Sequence, residues 1–379
     1  MSENNEIKAP LNKNNKVPKL RFPEFYTFYT SQTISSIFKL TGGGTPSTKE
    51  KKYWLGTMPW ISSSDLLEFD INKISETRFI SNEAIENSAT KIVPAFSILV
   101  VTRVGLGKVA VNEHPICTSQ DFINLYSNNV NPYYFAYLIQ KHLSKKAPQG
   151  STIKGISNKE LAKMNLAYPT KNEQDKVYSF LHILDKKIDV ISSKMAILKK
   201  YKEGMQKNIF DSSKAKEYLI LKKIVKFENK SKIPASSSIE NGNYILYKSG
   251  QKNGTINDYS HEGVYIIAND GGIAQFKLAS GKFSYTDHCI CFRCQSDEET
   301  IVLCNYLQSI EKKITYVGFT GTGLKNIDRQ YLGMIRIPKV NNQKIAKSFK
   351  LIDKAIRNYE NILEGITIIK NLLLEQMFI

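Results

Sequence analysis

Residues 177–210 read VYSFLHILDKKIDVISSKMAILKKYKEGMQKNIF, and residues 345–378 read IAKSFKLIDKAIRNYENILEGITIIKNLLLEQMF. In the first stretch Val177, Leu181, Leu184, Ile188, Ile191, Met195, Leu198, Lys202, Met205 and Ile209 recur at alternating spacings of four and three, the seam of a coiled coil. In the second, Ile345, Phe349, Ile352, Ile356, Tyr359, Leu363, Ile366, Lys370, Leu373 and Met377 repeat the same phase, apolar everywhere except at the same lysine. Asp185, Lys186 and Phe210 recur as Asp353, Lys354 and Phe378. Neither stretch contains proline, and Pro169 and Pro338 precede them, as expected where a helix is entered just afterwards.

The repetition extends outward. Ser151-Thr-Ile-Lys154-Gly-Ile156 resembles Thr322-Gly-Leu-Lys325-Asn-Ile327, and Leu161 matches Leu332. Ile34-Ser-Ser-Ile37-Phe-Lys39 resembles Leu221-Lys-Lys-Ile224-Val-Lys226. Between these anchors, residues 40–140 and 228–310 have little in common. The chain therefore divides into a polar arm (1–18), a first globular block (19–170), a helix (171–217), a second block (218–340) and a second helix (341–379). The blocks read as α+β: Val93 to Val111 as strands around the turn Val104-Gly-Leu-Gly107, Tyr285 to Arg293 as an alternating strand, and Asn131-Pro132 as the start of a helix through Leu143.

Domain termini often lie close together, so the second helix is expected to run back along the first. A parallel in-register pair would set Lys202 against Lys370 in an apolar seam, whereas an antiparallel pair separates them. The expected architecture is thus two globular α+β domains with two long helices packed as an antiparallel coiled coil, related by a pseudo-twofold axis. At 1.5 Å per residue the first ladder is about 50 Å long, more than the ~34 to 36 Å of one DNA turn. That length suits two blocks on separated half-sites; a helical pair that only stabilises two domains is the plainer alternative.

Composition bears on partners. Of 379 residues, 53 are Lys or Arg against 35 Asp or Glu, and the surplus of 18 positive charges is spread along the chain, which points to a polyanion. The 41% apolar content is enough for packed cores. Five cysteines, an odd number, without a secretory signal suggest a reduced, cytoplasmic protein. Apolar runs such as Ile98 to Val101 and Leu372 to Leu374 fall far short of the ~20 residues that span a bilayer, so no membrane partner is expected.

Three motifs invite chemistry and have plainer explanations. Asn131-Pro-Tyr-Tyr134 brushes against the motif with which adenine methyltransferases hold a flipped base, yet it opens a helix and lacks a glycine-rich cofactor loop upstream. Val104-Gly-Leu-Gly-Lys108 lacks the spacing and the Ser/Thr after lysine of a phosphate loop. Cys289, Cys291, Cys294 and Cys304, with His261 and His288 nearby, lack paired zinc knuckles, and alternation puts Cys289 and Cys291 on one strand face as buried thiols, so no metal is expected.

The anchors carry a family resemblance. Val17-Pro-Lys-Leu-Arg-Phe-Pro-Glu-Phe25, Gly43-Gly-Thr-Pro-Ser47, Trp60-Ile-Ser-Ser63 with Asp65, and Thr102-Arg-Val-Gly105 through Lys108-Val-Ala110 resemble the opening and one target-recognition class of the specificity subunits of type I restriction-modification enzymes. Tyr247-Lys-Ser-Gly250, Asn257-Asp-Tyr259 and Ala268-Asn-Asp-Gly271 resemble a different class, although Gly272-Ile-Ala274-Gln departs from the commoner glycine-closed loop. Gln174, Leu184-Asp185 and Leu198 to Phe210, with Gln343, Ile352-Asp353 and Leu372 to Phe378, resemble the family's two helical regions. The resemblance covers nearly the whole chain. It implies a non-catalytic subunit for host defence that binds double-stranded DNA at an asymmetric bipartite target and holds no cofactor. Two adenine methyltransferase subunits using S-adenosylmethionine would dock on the coiled coil, and translocase-nuclease restriction subunits would use ATP and Mg. A self-contained DNA methyltransferase or nuclease, and a coiled-coil adaptor without DNA function, are the competing readings.

DNA contacts are expected from polar and basic loop residues. These are Thr45, Lys49, Ser62, Ser63, Arg103, Lys108 and Lys154 in the first block, and Lys248, Lys252, Asn269, Lys277 and Lys325 in the second. The lysines are expected to set phosphate affinity and salt dependence, while Arg103 and Asn269 can read a guanine or adenine edge with two hydrogen bonds.

Overall fold

The computed structural model describes residues 17–103, 105–146, 155–213, 215–250, 252–321 and 325–379. They form two compact units, one of residues up to Ile188 together with Glu364–Ile379, the other of Asp189–Leu363. Each unit therefore owns a part of both long helices.

In the first unit β1 (Thr30–Thr33), α1 (Ile34–Ile37) and β2 (Lys39–Gly42) lead into β3 (Met58–Ile61), β4 (Phe79–Ile80), α2 (Asn82–Glu86) and β5 (Ile92–Val93). The strands β6 (Ile98–Val101), β7 (Val109–Val111), β8 (Ile116–Thr118) and β9 (Phe122–Tyr126) follow, then α3 (Pro132–Lys146), α4 (Asn158–Ala162), β10 (Asn165–Tyr168) and the long α5 (Lys171–Ile209). One sheet has the order β2-β9-β6-β7 and a second β4-β3-β8-β5, and β1 pairs with β10. The apolar run Ile98–Val101 is buried on both faces: Ile98 and Val100 pack on Tyr134, Phe135 and Leu138 of α3, whereas Leu99 and Val101 face Ile61, Ala110 and Phe122.

In the second unit β11 (Tyr218–Ile220), α6 (Leu221–Ile224) and β12 (Lys226–Phe227) precede β13 (Tyr244–Tyr247), β14 (Gly254–Ile256), β15 (His261–Asn269), β16 (Phe276–Tyr285) and β17 (Cys289–Arg293). After them come α7 (Asp297–Ser309), α8 (Glu311–Val317), β18 (Phe319–Thr320), β19 (Asn326–Ile327), α9 (Arg329–Met334), β20 (Arg336–Pro338) and α10 (Asn342–Met377). The large sheet has the order β12-β17-β15-β16-β13-β14, and β11 pairs with β20. The strand expected over Tyr285 to Arg293 is divided: Tyr285 ends β16, and a turn in which Cys289 N–H donates to Thr286 O (3.0 Å) starts β17. Cys289 and Cys291 do share a face, packed with Tyr247 and Phe283, while Ile290 and Phe292 enter the other core.

The two central blocks, dissimilar in sequence, share a frame. β2-β9-β6-β7 and β12-β17-β15-β16 are the same antiparallel order, with Lys39 opposite Tyr126 in one and Lys226 opposite Arg293 in the other. β3 runs parallel to β8 and antiparallel to β4, just as β13 runs parallel to β16 and antiparallel to β14. The difference is that β16 continues through Gly281, at φ +77°, where the first unit has separate strands β7 and β8. Pairing survives without sequence likeness because a buried strand needs only branched or apolar residues of roughly the right size.

The seam residues of both helices are buried or half-buried. Within the second unit Lys199 Nζ meets Glu360 (3.0 Å), Lys202 Nζ meets Asp353 Oδ1 (2.8 Å), and Phe210 stacks on Phe349, so the helices run antiparallel there. Within the first unit Lys370 pairs with Asp185 while Val177 and Leu181 share a core with Met377 and Phe378, which is the same sense. Each seam lysine thus takes the repeat-related aspartate of the opposite helix. Asn72 Nδ2 (2.9 Å) and the Tyr137 hydroxyl also donate to Asp185, and Lys202 donates to Gln308 Oε1 (3.0 Å). Pro18, the last residue of the expected arm, is buried, and at the start of the first block Leu20 N–H donates to Gln376 O (3.0 Å) and Arg21 grips the buried Glu173; residues 1–16 lie outside the described residues. Among the described residues no helix is long and apolar enough to cross a membrane.

Candidate nucleic-acid interface

In the first unit several expected contact residues converge at one end of the sheets. The Gly43-Gly44 pair lets the chain pass against its neighbours: a Cβ at Gly43 would lie 2.0 Å from Ser119 O, and one at Gly44 2.4 Å from the Ala89 carbonyl carbon. Trp60 Nε1 donates to Gly44 O (2.9 Å), and the next residue, Thr45, bonds the Gln120 side chain. Past β3, Ser62 opens a turn closed by Asp65, with Ser62 N–H to Asp65 Oδ2 at 2.7 Å. The guanidinium of Arg78 donates to Ser62 Oγ (2.7 Å), pairs with Asp65, and lies 4.7 Å from the centre of the Trp60 ring. Lys108 Nζ reaches back from the β6–β7 hairpin to Ser63 O (3.2 Å). Ile156 N–H donates to Thr102 O (2.8 Å), which leaves Arg103 exposed beside Gly155.

Thr45, Ser62, Ser63, Arg103 and Lys108 therefore surround one surface. Lys49 is exposed on the segment that leads from Thr45 to the Lys51–Trp54 turn, and Lys154 lies outside the described residues. Gly105 and Gly107 have positive φ, so the motif around them is a hairpin turn. Asn131 Oδ1 accepts the Tyr134 N–H (2.9 Å), so Asn131-Pro-Tyr-Tyr134 caps α3.

In the second unit Lys248 and Lys252 follow β13, Asn269 and Lys277 flank the β15–β16 turn on those strands, and Lys325 precedes β19. Lys277 Nζ donates to Lys248 O (2.9 Å), Gly250 O (2.5 Å) and Asn253 Oδ1 (2.8 Å), and burial pushes its pKa down. Asn269, 4% exposed, ends β15, with Nδ2 3.5 Å from Ile273 O and 3.4 Å from Gln275 Oε1. In the departing loop Gly272, at φ +85°, donates its N–H to Lys325 O (2.8 Å) and Ala274 N–H donates to Thr315 Oγ1 (2.9 Å), which leaves Ile273 62% exposed. Arg329 stands 3.5 Å from Asp270. Lys252 and Lys325 are exposed; Asn269 and Lys277 are spent largely on holding loops.

The two surfaces are built alike. Ser119 N–H donates to Ile61 O at the end of β3 (2.8 Å), and Thr286 N–H donates to Tyr247 O at the end of β13 (3.0 Å). The same strand ends therefore feed the loops in both units. Sequence reasoning missed Arg78, Gln120 and Asn253, which lie in loops without periodicity, and Arg329, which opens the short helix α9; their partners are visible only in the folded chain.

The model of the type I restriction modification DNA specificity domain matches twice, at residues 29–200 and 214–367. The chain belongs to that family. Among curated specificity subunits, this type I specificity chain is 32% identical over 183 residues to that of the MjaIX enzyme of Methanocaldococcus jannaschii, covering 47% of this chain and 42% of the relative. It is 30% identical over 197 residues to the EcoR124I/EcoR124II subunit of Escherichia coli, covering 49% and 46%. The matches thus span less than half the length of these relatives. The type I restriction-modification S subunit of M. genitalium has the same fold, with a TM-score of 0.69 over 96% of this chain and 99% of that one at 17% identity.

Proposed function

We propose that this chain is the DNA sequence-specificity subunit of a type I restriction-modification complex. Each α+β unit reads one half of an asymmetric, bipartite target, the first through the ends of β3 and the β6–β7 hairpin, the second through the ends of β13 and the β15–β16 hairpin. The observation that carries the reading is repetition with different lining: one family domain occurs twice, on one strand frame, with Ser62, Ser63 and Arg103 at the loop ends of the first copy and Lys248, Lys252 and Asn269 at those of the second. A net charge of +18 suits a polyphosphate partner bound with counterion release.

Recognition resides here and chemistry in partners: adenine methylation with S-adenosylmethionine on two methyltransferase subunits, and ATP- and Mg-dependent restriction on translocase-nuclease subunits. Docking on the helices is supported by apolar residues outside the seam. Ile183, Val190 and Ile197 of α5, seven residues apart, are each more than half exposed, as is Ile369 of α10. The cytoplasm, where chromosomal DNA lies, is the expected location. The test is a modified-base map of chromosomal DNA with and without the gene: loss of methyladenine at one split, asymmetric motif is expected. Methyl transfer or cutting by the purified chain alone would favour the self-contained enzyme, and absence of duplex binding with every partner present the adaptor.

A further inference from the structure

Lys108 immediately precedes the second strand of its hairpin and Lys277 lies on the second strand of the equivalent one, and both aim their ammonium at backbone oxygens just past the equivalent strands β3 and β13. Lys108 Nζ takes Ser63 O at 3.2 Å; Lys277 Nζ takes Lys248 O, Gly250 O and Asn253 Oδ1 at 2.9, 2.5 and 2.8 Å. An ammonium has three donors, and three acceptors leave Lys277 none for a phosphate. A lysine at a DNA-facing loop would ordinarily supply affinity without sequence information; this geometry points to a different task.

We propose that Lys108 and Lys277 are positioning residues, each tying the loop after β3 or β13 to the adjoining hairpin so that the two loops of a unit meet DNA as one rigid surface. The inference rests on the DNA-reading role proposed above. The units differ in redundancy: Arg78 also braces the first unit's loop through Ser62 and Asp65, whereas among the described residues Lys277 is the one side chain that ties the second unit's loop to its hairpin, through three oxygens. Lys277 therefore matters more to discrimination than Lys108.

The full chain, assembled with its methyltransferase, is titrated over a salt series with duplexes carrying the mapped motif and with duplexes altered in one half or the other. If the unaltered complex fails to distinguish these duplexes, the DNA-reading role itself falls; if it distinguishes them, the variants judge the clamp alone. Lys277→Met is expected to lose about tenfold in discrimination at one half-site only, with the slope of log K against log salt unchanged. Asn253→Ala keeps every charge and is expected to move discrimination at that half-site in the same direction by a smaller factor; it decides the matter should Lys277→Met not fold. Lys108→Met is expected to act weakly, at the other half-site. The clamp is overturned if Lys277→Met lowers the salt slope by about 0.9 with discrimination intact, the mark of a lost phosphate contact, or if neither second-unit variant alters discrimination.

Discussion

At the scale of the residue, the helical seam places its two charged exceptions where they are answered. Lys370 and Asp185 are 9% and 10% exposed, and Asp185 also holds Tyr137 and Asn72, so removing one partner leaves a charge without its counterpart in an apolar seam. Lys370→Met is expected to cost about 3 kcal/mol, while the double change with Asp185→Leu recovers only part of it, because the buried Tyr137 hydroxyl and Asn72 then lose their acceptor; urea unfolding of the four members of that cycle measures the coupling, and additive losses would mean the pair is not coupled. The five cysteines are all buried, with Cys117 and Cys294 pushed up from 9.0 to about 12 by burial. A raised thiol keeps its proton in the folded chain after the unfolded chain has lost it. Its contribution to stability is therefore full below pH 9 and lost as pH climbs toward 12. Urea midpoints should fall over that window, and the native chain should resist a thiol reagent at pH 8; rapid labelling of the folded protein would contradict the burial. The sequence shows that Lys202 and Lys370 are exceptions in an apolar ladder. Their partners Asp353 and Asp185 emerge only once the direction of packing is known.

At the scale of the element, legibility follows periodicity. α5 and α10 repeat over enough turns to be unmistakable, and the β1–α1–β2 and β11–α6–β12 entries match because their buried isoleucines and leucines recur at the same spacing. The shared sheet is hidden: β4 and β5 are two residues long, and although Ile98 answers to Ile266, Val100 answers to Ala268 and Val101 to Asn269, so pairing leaves few common letters. Candidate site residues fare similarly. The Gly43-Gly44-Thr45 and Trp60-Ile61-Ser62-Ser63 motifs can be picked out by their composition, yet the reason for the glycines is the carbonyls of Ser119 and Ala89, which arrive from loops distant in sequence. Gly43→Ala is expected to push the Thr45 segment off Ser119 and weaken binding at one half-site by about tenfold or more while the other stays intact; duplexes altered in a single half measure this, and an unchanged affinity would show that the segment has no part in recognition.

At the scale of the whole molecule, the variable segments enter and leave the frame at neighbouring points. Gly42 of β2 pairs with Ile123 of β9, so residues 43–121 begin and end on adjacent strands; Phe227 of β12 pairs with Phe292 of β17, so residues 228–288 do the same. An insertion bounded by paired strands can be exchanged without lengthening any connection, provided its buried strands keep filling the core that α3 or α7 covers. In the first unit that core joins Ile98 and Val100 to Tyr134 and Tyr137, and these in turn to Leu181 and Phe378, so the graft must preserve the apolar faces of β6 and β7. With that condition met, replacing residues 43–121 by the matching segment of another specificity subunit is expected to change one half of the methylated motif and leave the other half and the spacing as they were. Replacing 228–288 should change the complementary half. Modified-base maps of cells carrying each chimera read out both halves at once. If either exchange altered both halves, recognition would be a joint property of the two units, and the repeated frame would have to be explained by something other than modular reading.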